Sequence, residues 1–168
     1  MPDAIRTYVR IVDAVNRRIG RAMMYGIFVM MAILLWSSIS KTFFLPSLWT
    51  LEMAQFAMVA YYIIGGPYSI QLGSNVRMDL FYGNWPPRKK AWFDAMTVCF
   101  LIFYLGVLLY GGISSTSYAL EYGERSATAW RPYMWPIKVV MCIGIVLMLL
   151  QAIAEFFKDI ARIREAPL

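Results

Sequence analysis

The sequence contains no histidine among its 168 residues. Haem ligation by histidine, Ser-His-Asp and Cys-His catalysis and most zinc sites require an imidazole, so the absence argues against all of them. Only two cysteines are present, Cys99 and Cys142, and they form neither a disulfide framework nor a CxxC motif. The glycine-rich phosphate-binding motifs G-x-x-x-x-G-K-[ST] and G-x-G-x-x-G are both absent from the sequence. We therefore expect no catalytic, cofactor or metal site, and a protein that is not an enzyme.

Charge is also scarce. Charged residues make up 15% of the chain and hydrophobic residues 60%, whereas soluble domains have about 25% charged and about 45–50% apolar residues. Four apolar runs are each long enough to cross a hydrocarbon core of about 30 Å. The sequence thus predicts an all-α membrane protein, with residues 1–168 forming a single domain. The four predicted transmembrane helices cover about 22–40, 53–72, 92–117 and 136–157.

The segment before the first span, residues 4 to 19, has the pattern of an amphipathic helix. Ile5, Val9 and Val12 fall on one face, while arginines such as Arg10 and Arg17 favour the other. This pattern predicts an interfacial helix in the headgroup layer. The alternative is a soluble helix packed on a partner. The first apolar run is longer than a signal-peptide core and lacks an A-x-A-like cleavage site, so we expect it to be retained.

The basic residues predict the orientation. Twelve lysines and arginines lie in the N-terminal segment, the connection between the second and third spans, and the C-terminal tail, against four on the other side. The positive-inside rule therefore places both termini in the cytoplasm and residues 121 to 138 outside. The tryptophans and tyrosines near the span ends agree with these boundaries.

Three residues modify this scheme at the ends of the spans. Pro67 is expected to kink the second helix or to end it early. Glu52 opens that helix, where it acts either as a charge favourable to the helix dipole or as a contact to another subunit. Lys138 lies just inside the fourth span, where its ammonium group can snorkel to the interface.

The middles of all four predicted spans lack Asp, Glu, Lys and Arg. A transporter acting alone needs polar or ionisable groups near the midplane, where a charge costs about 3 kcal/mol and persists for a functional reason. The chain therefore has the character of a membrane scaffold rather than of a pump. Gly111 and Ser115 form a small-xxx-small pair in the third span that permits close helix approach.

Two stretches carry a family resemblance. Residues 51 to 94 contain Glu52 at the start of a helix, two glycines near its end, and then Gly73, Arg77 and Asp79 in a G-x-x-V-R-x-D segment. Residues 118 to 160 contain a Trp-x-Pro and a Trp-Pro pair. In order and spacing these features resemble the small integral-membrane subunit of tripartite ATP-independent periplasmic (TRAP) transporters. Many members have His where this chain has Asn75.

The resemblance implies a heterocomplex in the inner membrane of a bacterium, for sodium-driven uptake of an organic acid. A large multi-spanning subunit would carry the sodium and substrate sites, a periplasmic solute-binding protein would deliver the solute transiently, and this chain would anchor the static part in the lipid bilayer. No cofactor or nucleic acid is expected. The candidate partner-contact or anchoring residues are Glu52, Arg77, Asp79, Arg131, Trp135 and Lys138. The alternatives are a stand-alone small homo-oligomeric transporter and a cofactor-anchoring membrane subunit of a redox complex.

Overall fold

The computed structural model describes residues 3–73 and 86–163, and these form five α-helices. They are α1 (Asp3–Met24), α2 (Gly26–Phe43), α3 (Thr50–Leu72), α4 (Pro87–Glu121) and α5 (Trp135–Ile163). A single residue, Tyr25, separates α1 from α2, where the amide of Tyr25 donates to the carbonyl of Ala22. No strand is present in the described ranges beyond one isolated bridge in the turn before α5.

Helices α2, α3, α4 and α5 pack side by side as an open row. Helix α3 lies between α2 and α5, and α5 in turn lies between α3 and α4. Helices α3 and α5 run parallel. Ile63 faces Gly144, and further along both helices Gly66 faces Met148. Helix α1 crosses α3 and α5 at one end of the row. We call this the terminal end, since residues 3–20 and 150–163 lie there, and the opposite end, with residues 44–49 and 122–134, the hairpin end.

Two apolar cores hold the row together. In the first, Leu105 of α4 packs with Ile145 and Ala152 of α5, with partly buried aliphatic side chains around them. In the second, Val9 and Val12 of α1 pack against Ala154 of α5. Both cores use α5, which therefore connects the helix at the edge of the row to the helix that crosses it.

Helices α3 and α5 approach each other closely at Gly144. A Cβ atom on Gly144 would lie 2.1 Å from Cγ2 of Ile63 and 3.1 Å from its carbonyl oxygen. That carbonyl has no i+4 partner within its helix, because residue 67 is proline and has no N–H. Glycine at this position thus lets the backbone of α5 lie close to the carbonyl that Pro67 leaves without a helical partner.

Helix α3 continues past Pro67. The sequence predicted that Pro67 would kink the helix or end it early, and early termination is wrong, because the helix continues to Leu72. Pro67 is fully buried in the packed row, where tertiary contacts stabilise the turn that a proline weakens. The helix ends instead at Gly73, whose φ of 62° is in the left-handed region that glycine adopts readily.

Three described helical stretches are long and apolar enough to cross a membrane: Asp3–Phe43, in which α1 and α2 follow each other, Trp92–Glu121 and Trp135–Ile163. They include the first, third and fourth predicted spans. Helix α3, the second predicted span, is long enough but less apolar, because tyrosines, glutamines, glycines and Pro67 interrupt its aliphatic residues. The all-α class is confirmed, and the number of four spans stays a prediction.

Helix α1 is longer than the amphipathic segment predicted over residues 4–19, and it covers part of the row. Its buried face consists of Val9, Val12, Asn16 and Gly20. At Gly20 the backbone lies directly against Tyr68, since an added Cβ would be 2.4 Å from the Cβ of that residue. The apolar face therefore packs on helices of the same chain.

Candidate anchoring and partner-contact sites

The turn between α4 and α5 at the hairpin end, residues 122–134, has a folded backbone. The amide of Ser126 donates to the carbonyl of Pro132 at 3.0 Å, and the amide of Met134 donates to the carbonyl of Glu124 at 3.0 Å. Between these two pairs, Arg125 and Tyr133 form an antiparallel bridge. The segment is thus a small hairpin that holds its side chains in fixed positions.

Lys138 joins this hairpin to both neighbouring helices. From the first turn of α5, its ammonium group forms an ion pair with the carboxylate of Glu124. The same group also approaches the carbonyl oxygen of Ser115 on α4, at 3.4 Å. Lys138 therefore reaches towards the hairpin end, where its ammonium group contacts groups of its own chain.

We expect the Glu124–Lys138 pair to stabilise the hairpin measurably. Glu124→Lys and Lys138→Glu should each lower the thermal unfolding midpoint, because each places two like charges together, while the charge-swapped double variant should recover most of the loss. The coupling should be about 1 kcal/mol, since the pair is only partly shielded from solvent. Thermal unfolding of the four proteins in one detergent measures it. A double variant as unstable as the sum of the single variants would contradict the interaction.

The other two candidates at this end are more exposed. Arg131 is exposed, has a φ of 49° and donates its amide to the carbonyl of Thr128 at 3.2 Å. Trp135 opens α5 with 43% of its surface exposed, close in sequence to the exposed rings of Trp130 and Tyr133. The guanidinium of Arg125 lies 4.2 Å from the centre of the Tyr133 ring. The hairpin thus presents cations and amphipathic rings, groups that suit lipid headgroups and protein surfaces alike.

Glu52, in the first turn of α3, is placed differently. It is 4% exposed, and neither carboxylate oxygen has a hydrogen-bond partner within the described part of the chain. In the chain alone it therefore presents almost no surface to another subunit. Nearby in sequence, Thr50 donates to Ser37 at 3.1 Å and accepts from Ser47 at 3.1 Å, which satisfies the hydroxyl groups of the α2–α3 turn. Arg77 and Asp79 lie outside the described residues.

A polar network at the terminal end was not predicted from the sequence. Gln151 of α5 is fully buried. Its carbonyl oxygen accepts from the amide of Asn16 at 2.7 Å, and its own amide donates to Asp13 at 2.9 Å and to Glu155 at 3.1 Å. Lys158 bridges the same two carboxylates, at 2.8 Å from each. These five side chains connect α1 to α5 beside the apolar contacts.

Two features of the sequence indicate such a network. Asn16 lies on the same helical face as Val9 and Val12, so an amide is placed in the middle of an apolar stripe. Gln151 is likewise an amide within the apolar run of the last span. Buried amides need hydrogen-bond partners, so each predicts a polar neighbour. The periodicity does not indicate that the two residues are partners of each other.

In the described ranges, no group of three or more Cys, Asp or Glu side chains is placed to hold a metal ion. The structure presents a set of long apolar helices. Exposed aromatic side chains lie at their hairpin end, and polar contacts join the helices at their terminal end. These features define a helical integral membrane protein, and the comparisons with known proteins identify its family.

Residues 30–162 match the family of tripartite ATP-independent periplasmic transporters, DctQ component. The match covers most of the chain, which therefore belongs to this family, the small permease component of TRAP transporters. Members of the family work with a large membrane subunit and a periplasmic binding protein. A comparison with curated proteins finds no match.

Proposed function

We propose that the chain is the non-catalytic small permease subunit of a sodium-driven TRAP transporter that imports an organic acid. In this proposal the large subunit carries the solute and sodium sites, the binding protein delivers the solute, and this chain anchors the static part of the complex. The observation that carries the proposal is the family match over residues 30–162. The match identifies the chain as the DctQ component of a TRAP transporter, and the physical features of the chain support the scaffolding role.

The first supporting feature is the distribution of charge along the helices. Helix α2 has no charged residue before Lys41, α4 has none between Asp94 and Glu121, and α5 has none between Lys138 and Glu155. Binding an ion or a carboxylate near the midplane requires polar or charged groups there. The sites for sodium and solute are therefore better placed on the large subunit.

The second supporting feature is the exposed apolar surface of the row. Side chains such as Phe28 and Leu35 on α2, and Phe103 and Tyr110 on α4, are at least 60% exposed. Surfaces this apolar are stable only against hydrocarbon or another protein. An open row has two such faces, and one face can contact lipid while the other contacts the large subunit.

We further propose that the four helices of the row, α2 to α5, cross the inner membrane, with both termini in the cytoplasm. Helix α3 belongs among them because it runs parallel to α5 and packs between α5 and α2. By sequence, twelve lysines and arginines lie in the N-terminal segment, the connection between α3 and α4, and the C-terminal tail, against four on the other side of the predicted spans. The positive-inside rule expects this distribution when both termini are cytoplasmic.

The residues predicted from the sequence take separate roles in this proposal. Arg131 and Trp135, exposed at the hairpin end, are proposed to contact headgroups or the periplasmic binding protein. Arg77 and Asp79 are proposed to shape the cytoplasmic connection or to contact the large subunit. Lys138 positions the hairpin through Glu124. Glu52 is proposed as a partner contact only if assembly opens the α2–α3 turn, because it is buried in the chain alone.

Reconstituted transport tests the function. The binding protein of the same transporter is first screened by thermal shift against a panel of small carboxylic acids, and the acid that stabilises it is used radiolabelled. Proteoliposomes then contain the large subunit alone, this chain alone or both, with the binding protein outside and an inward sodium gradient. We expect uptake with both subunits and none with this chain alone, because its spans have no charged midplane.

The same assay discriminates the alternative function. A stand-alone homo-oligomeric transporter would take up the acid without the large subunit, and uptake by this chain alone would establish it. Uptake that persists unchanged when the sodium gradient is collapsed would contradict the sodium-driven mechanism while leaving the pairing of the subunits intact.

A further inference from the structure

A groove of about 800 Å³ lies at the terminal end, between α1 and the last turns of α5. Seven of its lining residues are basic and two are acidic, a formal excess of five positive charges. Helix α5 contributes Lys158 and Arg162, and α1 contributes five arginines, among them Arg10, Arg17 and Arg21. Since residues four and seven apart return to one helical face, these three form a continuous stripe.

Only part of this charge is neutralised by the protein. Lys158 is paired with Asp13 and Glu155, and Arg162 is paired with Asp159. Arg6 also has an interaction partner. By contrast, the exposed Arg10, Arg17, Arg18 and Arg21 form no ion pair or hydrogen bond that involves a described residue. Arg17 and Arg18 lie four and three residues before Arg21 on the same helix, so their like charges repel that of Arg21, and a bound anion would reduce the repulsion.

The position of the groove along the helices indicates which kind of anion it would bind. Arg21 lies in the last turn of α1, immediately before the apolar helix α2. On the opposite wall, Lys158 is roughly 35 Å beyond Trp135 along α5, at about 1.5 Å per residue. A hydrocarbon core is about 30 Å thick. With Trp135 at one boundary, the groove therefore lies at the headgroup level of the other, where phosphate groups are concentrated.

We infer that the groove is a binding site for the phosphate group of an anionic phospholipid. Guanidinium groups bind phosphate oxygens in a bidentate manner, and basic pockets beside membrane-spanning helices recognise anionic headgroups. The Asp13–Lys158 contact fixes the two walls relative to each other, so the arginine stripe is held in place before the lipid arrives. The inference is independent of the proposed transport function, because it requires only that this end of the chain meets a membrane surface.

Lipid retention by the purified full-length chain tests the site. The protein in neutral detergent is titrated with phosphatidylglycerol, with phosphatidylcholine or with inorganic phosphate, and native mass spectrometry counts the bound molecules. Phosphatidylglycerol should bind at least tenfold more tightly than phosphatidylcholine, and inorganic phosphate at the same concentration should not displace it. Equal binding of the two lipids, or displacement by phosphate, would overturn the inference.

The variant pair is Arg17→Gln against Lys41→Gln, which removes the same charge from the hairpin end. We expect the first variant to bind phosphatidylglycerol at least tenfold more weakly and the second to bind as the wild type does. Because Arg17 has no partner among the described residues, neither variant should unfold at a lower temperature than the wild type in lipid-free detergent. Equal lipid binding by the two variants, or loss of the bound lipid on assembly with the large subunit, would contradict a lipid site.

Discussion

Gly144→Ala is expected to destabilise the protein by about 1–3 kcal/mol, the cost of forcing one more carbon into a packed interior. The added Cβ would lie 2.1 Å from Cγ2 of Ile63, which is far inside van der Waals contact. Backbone atoms of Ile63 lie 3.1 Å away, so a change of rotamer cannot relieve the whole clash. Helices α3 and α5 would have to separate, and α5 is the helix that both apolar cores share.

The matched control is Gly111→Ala on α4, where a Cβ would meet no atom within 4 Å. Both changes give a helix the same gain in intrinsic propensity, up to about 1 kcal/mol, so the difference between them isolates packing. Thermal unfolding followed by size-exclusion chromatography in one detergent measures both. Equal midpoints for the two variants would contradict the close approach of α3 and α5.

Lys158→Met is expected to weaken the packing of α1 against α5. The ammonium group lies 2.8 Å from carboxylate oxygens of both Asp13 and Glu155, and all three side chains are about one-fifth exposed. Removing the cation leaves two carboxylates facing each other in a poorly hydrated site. We expect a loss of about 2 kcal/mol, less than the ~3–5 kcal/mol of a fully buried pair because some solvent remains.

The matched control here is Lys41→Met, at the exposed end of α2, which should change stability little. A rescue distinguishes charge from packing: adding Asp13→Asn and Glu155→Gln to Lys158→Met removes the stranded charges and should restore most of the stability. Limited proteolysis within α1 gives a second readout, with cleavage faster in Lys158→Met alone. If the triple variant is no more stable than the single one, the electrostatic explanation is wrong.

The helices themselves could be predicted from the sequence, because runs of apolar residues long enough to cross a bilayer have few other structures. The predicted spans of about 22–40 and 136–157 correspond to Gly26–Phe43 and Trp135–Ile163. The C-terminal ends of both helices lie beyond the predicted ones, because polar residues continue a helix beyond the apolar run when they have partners. Arg162, paired with Asp159 in the last turn of α5, is an example.

The contacts between helices could not be predicted in the same way. Periodicity shows that Val9 and Val12 share an apolar face but not what covers that face, and here it is Ala154, far away in sequence. The close approach of α3 and α5 needs the small Gly144, which no local pattern associates with Ile63. At the candidate site, Lys138 could be expected to reach the interface, whereas its partner Glu124 depends on how the hairpin folds.

The central claim is that this chain works as one component of a heterocomplex, and the mass of the purified assembly tests it most directly. The tagged chain is co-expressed with the large subunit of the same transporter, extracted in mild detergent and examined by native mass spectrometry. We predict a species in which the 19.3 kDa chain is bound to the large subunit. A species containing only multiples of this chain, with the large subunit absent, would contradict the claim.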